Sequence, residues 1–148
     1  MDDLELLPIS EKYTAEIATW FQNDALSGEF TGSYKNAQQW SDATKLHPRR
    51  EEWVALVGGH LVGYISLTTD QNHVGHITFA VKPHDRRHGI GNEILEQFLK
   101  RPEIKILPKV RSSVSHSNTA AQIILKKNGF SQARYDQEGA LEFEKIIV

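Results

Sequence analysis

The sequence predicts a mixed α+β fold, a sandwich in which a mixed, mostly antiparallel central sheet is flanked by helices. Three observations carry this reading. Three β-rich runs follow one another at Trp53–Val57, Leu61–Thr68 and His73–Val81, which favours antiparallel neighbours. A strand–helix–strand unit comes later, and such a unit favours a parallel pair. The helical segments are amphipathic, so each has one face to bury against a sheet.

Leu4–Ile9 is short and apolar and reads as the first strand. Ser10 and Glu11 open a helix to about Asn23, with Tyr13, Ile17, Trp20 and Phe21 at helical spacing. Asp24–Asn36 is rich in Gly, Ser, Thr and Asn and reads as a loop. Ala37–Leu46 reads as a short second helix, broken at His47-Pro48. Gly58-Gly59 predicts a tight hairpin between the next two strands. In His73–Val81 the apolar Ile77, Phe79 and Val81 alternate with a face carrying His76 and Thr78, and Gly75 marks a bulge or a close approach. Gly89–Lys100 is an amphipathic helix on Ile90, Ile94, Leu95, Phe98 and Leu99, ended by Pro102. Lys109–Ser115 is a strand, and Asn118–Asn128 a helix with Ala121, Ile124 and Leu125 inward and Gly129 at its C′ position. Phe130–Tyr135 and Leu141–Val148 form a closing hairpin. Neither repeat nor linker interrupts the series, so residues 1–148 read as a single domain.

Composition narrows the function. A chain of 148 residues buries roughly 70% of its unfolded surface without metal or disulfide staples. The formal charge of -2 provides no global basic field, so neither nucleic acid nor membrane is an expected partner. The absence of cysteine removes disulfides, thiolate metal sites and a cysteine nucleophile. Met1-Asp2-Asp3 is not a basic leader, and the expected location is cytoplasmic. No metal-ligand constellation is present: His73 and His76 are three apart, which on a strand sends them to opposite faces, and Glu51-Glu52 reads as a solvated strand start.

The stretch that carries chemistry runs from Phe79 to Asn92. A strand passes through Lys82-Pro83-His84-Asp85-Arg86-Arg87-His88 into a helix that begins at Gly89-Ile90-Gly91. A helix start leaves about four amides unpaired and carries roughly half a positive charge. Glycines let an anion reach the backbone, and Lys82, Arg86, Arg87 and His88 add cationic side chains, which suits a pyrophosphate. By itself the pattern is equally a basic turn capping a helix. It is neither a P-loop, since Asn92-Glu93 follows the glycines, nor a dinucleotide fingerprint, since Leu95 follows Gly91-Asn92-Glu93-Ile94.

Arg86-Arg87-His88-Gly89-Ile90-Gly91 resembles the Arg/Gln-x-x-Gly-x-Gly/Ala signature of the GNAT superfamily of N-acetyltransferases. Phe79-Ala80-Val81-Lys82-Pro83 is similar to that family's fourth strand and its Val-x-Pro lead-in. Asn118-Thr119-Ala120-Ala121 through Gly129-Phe130 resembles its second signature, and Gly75–Val81 looks like a poorly assigned bacterial branch. The resemblance implies a three-layer sandwich and acetyl-coenzyme A as the acyl donor, with no metal. Amides and side chains of Arg86, Arg87, His88, Gly89, Ile90, Gly91 and Asn92 would hold the pyrophosphate. Phe79, Ala80 and Val81 would run beside the pantetheine arm, and Asn118 would touch it. The acetyl group would pass directly to an attacking primary amine of a small molecule or a peptide.

The tyrosine that many members place in the second signature is Leu125 here. His116, with Ser115, is then the local candidate for the acid. On the fourth strand His76 is the candidate base, because imidazole suits proton removal near neutral pH. The acceptor wall implied by the fold carries Trp20, Phe21, Glu29, Phe30, Tyr34 and Trp40, of which Glu29, Phe30 and Tyr34 are the substrate-binding candidates; aromatic and acidic groups suit a cationic amine. The stretch Trp20–Asp24 resembles enzymes that act on ribosomal-protein N-termini. A non-catalytic acyl-CoA sensor of the same fold is the alternative, and monomer and homodimer are both open.

Overall fold

A computed structural model describes residues 3–20, 50–82, 89–135 and 140–147. Strands are β1 Leu4–Pro8, β2 Arg50–Val57, β3 His60–Thr69, β4 Gly75–Val81, β5 Lys109–Ser115, β6 Ser131–Tyr135 and β7 Ala140–Ile146. Helices among the described residues are α1 Glu11–Thr19, α2 Ile90–Leu99, α3 Pro102–Lys105 and α4 Thr119–Lys127. The expected loop at Asp24–Asn36 and helix at Ala37–Leu46 lie outside the described residues, as do Phe21, Trp40, Glu29, Phe30 and Tyr34.

The seven strands form one sheet in the order β1-β2-β3-β4-β5-β7-β6. Every neighbouring pair is antiparallel except β4 and β5, which run parallel across the α2–α3 connection. Gly58 and Gly59, with φ of 57° and 81°, make the β2–β3 hairpin, since that two-residue turn needs positive φ at both positions. β3 is an interior strand, buried from Leu61 to Leu67 without alternation because both of its faces are covered.

One face of the sheet holds the larger core. Trp53, Ile65, Ile77, Phe79, Val110, Val114, Leu141 and Phe143 meet Ile94, Leu95 and Phe98 of α2 and Leu125 of α4. Phe98 stands edge-on to Trp53, with ring centres 5.3 Å apart at 69°, an arrangement worth about 0.5–1.5 kcal/mol beyond its buried area. The other face packs Val54, Leu56, Leu61, Tyr64 and Ala80 against Ile17 and Trp20 at the end of α1. Helices on both faces of one sheet give the sandwich that the periodicities predict.

Some expectations are corrected. α1 closes at Thr19, where the Trp20 amide turns back to the Ile17 carbonyl at 3.0 Å. Pro102 does more than end α2: it begins the four-residue α3, a position where its missing N–H costs nothing. Gly75 makes no bulge, for the β3–β4 register runs unbroken from Gly63↔Val81 to Thr69↔Gly75. A Cβ there would lie 2.8 Å from each of Leu67, Leu107 and Val110, so its role is close approach. α4 ends as expected, with the Phe130 amide on Leu125 O (3.0 Å) and the Gly129 amide on Lys126 O (3.1 Å).

Candidate active site

The parallel ladder between β4 and β5 covers two residue pairs, Gly75↔Val110 and His76↔Arg111. Just past it the buried Ser112 hydroxyl donates to Ile77 O at 3.1 Å. Each strand then stays with its outer neighbour: β4 follows β3 to Val81, and β5 follows β7 to Ser115. The sheet thus opens a wedge between Thr78–Val81 and Ser113–Ser115. α2 and α4 each follow one of these strands, so a helix N-terminus stands at either side of the mouth.

The two helix starts differ. α2 has Gly89 as its N-cap at φ 78°, with no side-chain cap, and the first helical bond is Glu93 N–H to Gly89 O at 3.1 Å. The amides of the first turn therefore lie outside the helical ladder. Among the described residues, a Cβ on Gly89 would meet nothing within 4 Å. Gly91 is different, being buried with Ile124 Cδ1 and Val81 Cγ2 at 2.9 and 3.4 Å from where a Cβ would stand. Its missing side chain makes room for α4 and β4, so the open approach lies at Gly89. Ile90 packs against the core, and Asn92 Oδ1 accepts from Asn128 Nδ2 at 2.9 Å, tying α2 to the end of α4. Lys145 Nζ donates to Asn128 O at 2.8 Å on the far side of this link.

α4 is capped by the buried Asn118, whose Oδ1 accepts from Ala121 N–H at 3.1 Å. Gln122 Nε2 donates back to Ser115 O and His116 O at 3.2 and 3.1 Å, which holds the turn between β5 and α4. His116 is exposed on that turn. Leu125, at the position of the family tyrosine, is fully buried in the larger core and carries no proton to give. Phe79 is buried on the α2–α4 side of the wedge and Ala80 on the α1 side, and Val81 packs beside Gly91. Arg86, Arg87 and His88 lie outside the described residues.

The α1 side of the sheet holds polar groups that the sequence reading missed. Glu52 is not solvated: its side chain is 11% exposed and accepts from Arg50 Nε at 2.6 Å and from Tyr64 OH at 3.0 Å. Arg50 also donates to Tyr64 OH and to Ser66 Oγ, at 2.9 and 3.2 Å. Burial pushes the Tyr64 phenol far above its usual range, with Arg50 opposing and Glu52 adding to the shift. Period-two alternation could have found Arg50 and Glu52, since both share a face with Val54. Further along, Arg111 donates to Glu144 at 2.8 Å with Glu142 at 3.4 Å, and the Glu144 hydrogen bond raises its already high pKa.

His76 is exposed at the closed end of the wedge. Its Nε2 lies 2.9 Å from Asp70 Oδ2. Asp70 is itself held, with Oδ1 accepting from the amides of Asn72 (2.8 Å) and Val74 (3.1 Å) in a turn where His73 takes φ 64°. The His76 hydrogen bond holds the Asp70 carboxyl below the usual carboxylate range; slight burial opposes this, and the two amides add to it. Among the described residues no group of three His, Cys, Asp or Glu is placed to hold a metal, and no helix is long and apolar enough to cross a membrane.

The fold has many solved counterparts. An acetyltransferase of the GNAT family from Streptococcus pneumoniae is 18% identical over 99% of this chain and 100% of that one, with a TM-score of 0.71. A spermidine N-acetyltransferase from Vibrio cholerae, in complex with CoA and spermine, is 15% identical over 97% and 95%, with a TM-score of 0.80. The ribosomal-protein-S18-alanine N-acetyltransferase from Escherichia coli is 15% identical over 98% and 94%, with a TM-score of 0.73. No curated protein matches the sequence. The model of the Acetyltransferase (GNAT) family matches residues 14–130, more than three quarters of the chain and the whole of the wedge with both helix starts. The chain belongs to the GNAT family of acetyltransferases.

Proposed function

We propose that the protein transfers the acetyl group of acetyl-coenzyme A to a primary amine of a small molecule or a peptide. The observation that carries this is the parting of β4 and β5 after His76↔Arg111, with an uncapped glycine helix start at its mouth. A slot between strands fits a long thin arm, and the α2 start fits the pyrophosphate at one end of it. Gly89–Asn92, with Arg86, Arg87 and His88 before them, hold the phosphates in this reading. Phe79, Ala80 and Val81 line the arm on one side, and Asn118 approaches it from α4. The family neighbour that holds CoA and spermine supports a coenzyme A donor and an amine acceptor. Glu29, Phe30 and Tyr34 are the proposed acceptor contacts.

The chemistry is direct attack. With no cysteine to carry an acyl group, the amine nitrogen adds to the thioester carbonyl, and the carbon–sulfur bond breaks. His76 is the proposed base and His116 the proposed acid. A free thiol has a pKa of roughly 8.5, so the departing thiolate asks little of its acid. The burial of Leu125 favours a second reading, a non-catalytic acyl-CoA sensor. The two part on turnover.

The test is a thermal shift with acetyl-CoA, followed by thiol release with spermine, ribostamycin and an alanine-initial peptide as amines. Ligand at about 100 times its Kd adds roughly 2.7 kcal/mol of stability. Gly89→Val is expected to remove that shift, because it puts a branched side chain where the anion approaches, at a φ costing L-residues about 1–2 kcal/mol. No shift for the native protein at millimolar ligand overturns both readings, and a shift without thiol release selects the sensor.

A further inference from the structure

We infer that Asp70 positions His76 for proton transfer, fixing its ring so that Nδ1 is the atom that takes the proton of the acceptor amine. The inference rests on the acetyltransferase reading above and adds to it a residue and an atom.

Asp70 follows β3 and is fixed before it meets the imidazole, because its Oδ1 is engaged by two backbone amides. Its second oxygen is thereby aimed at His76 Nε2, 2.9 Å away. An ionised carboxylate can only accept, so Nε2 must carry the hydrogen. The neutral ring then has its lone pair on Nδ1, which has no hydrogen-bond partner among the described residues. Such an orienting carboxylate is how a histidine is held in one tautomer ready to accept a proton at its other nitrogen.

Placement gives the pair a task. His76 stands in the last ladder pair before β4 and β5 part, so it sits at the closed end of the wedge. The charged groups around it are few. Across β3 its register partner is the uncharged Thr68. Across β5 it is Arg111, whose guanidinium is already engaged by Glu144 and Glu142 of β7. Asp70 is thus the carboxylate that addresses the ring itself. In the step proposed, an ammonium gives one proton to Nδ1, and the freed amine forms the carbon–nitrogen bond. The carbon–sulfur bond then breaks with its electron pair on sulfur. The second nitrogen proton ends on the thiolate, and His76 returns its proton to solvent.

The experiment compares the native protein with Asp70→Asn and His76→Gln. Asparagine keeps an oxygen for the two turn amides, so the fold persists, but its NH₂ forces Nε2 to accept and moves the ring hydrogen to Nδ1. Base catalysis is worth roughly 10²–10⁴-fold, so D70N is expected to lower kcat about tenfold or more while KM for acetyl-CoA stays within about twofold. H76Q is expected to lose the acidic limb of the kcat/KM profile. Nitrogen NMR of the ring should report hydrogen on Nε2 in the native protein and on Nδ1 in D70N. Native kcat and pH profile in D70N, or a tautomer that does not move, overturns the inference while leaving the transferase reading intact. A native protein that releases no thiol with any of the three amines overturns both.

Discussion

Single side chains in this protein are chosen by what stands beside them. Gly89 and Gly91 are two apart and do different work: one takes a left-handed backbone at an open helix start, the other yields its space to Ile124 and Val81. Gly75 yields its space too, but to three core side chains at once. Replacing Gly75 with alanine should therefore destabilise the fold by about 1–3 kcal/mol, as overpacking does. Urea unfolding would show it as a lowered midpoint at unchanged slope. A neutral result would mean that Leu67, Leu107 and Val110 step aside freely. The sequence does not tell Gly91 from Gly89, because a glycine's role is set by neighbours distant in the chain.

Elements were the most legible scale. β5 occupies the expected Lys109–Ser115, and α4 has its expected C′ glycine. Both rest on local signals, alternation in one and a helix-ending glycine in the other. α3 was missed because four residues contain no period to read. Glu52 was misread because its partners come from β2 and from β3, a pairing set by register. That cross-strand network has a pH signature. The folded state raises the Tyr64 pKa above the unfolded value of 10.0, so its contribution is whole below about pH 10 and is lost as pH climbs further. Absorbance should show the Tyr64 phenol ionising only as the protein unfolds in alkali. Tyr64→Phe is expected to cost about 1–3 kcal/mol at neutral pH, yet to lose less stability than the native protein between pH 9 and 11. An early-titrating Tyr64 would contradict this burial. In the candidate site, the α2 start and the Phe79–Val81 strand were legible from a resemblance in sequence. The Asp70–His76 pair was not, since it depends on how the turn after β3 folds back.

At the scale of the whole molecule the sheet is uneven. β3 is paired on both sides and covered on both faces, while β1 and β6 form the edges. Amide exchange should then be slowest in β3 and its partners β2 and β4, and fastest in β1 and β6. Uniform protection across all seven strands would refute that ranking. The weak place inside the sheet is the short β4–β5 ladder, and it has a consequence for the chain as a covalent object. The strands on one side of it, β1 to β4, all precede residue 82, and those on the other, β5 to β7, all follow residue 108. Residues 1–105 and 106–148 each carry a contiguous share of the sheet. Expressed as two polypeptides, they would meet along the same seam that is proposed to take the coenzyme, which would make that small molecule a clasp between them.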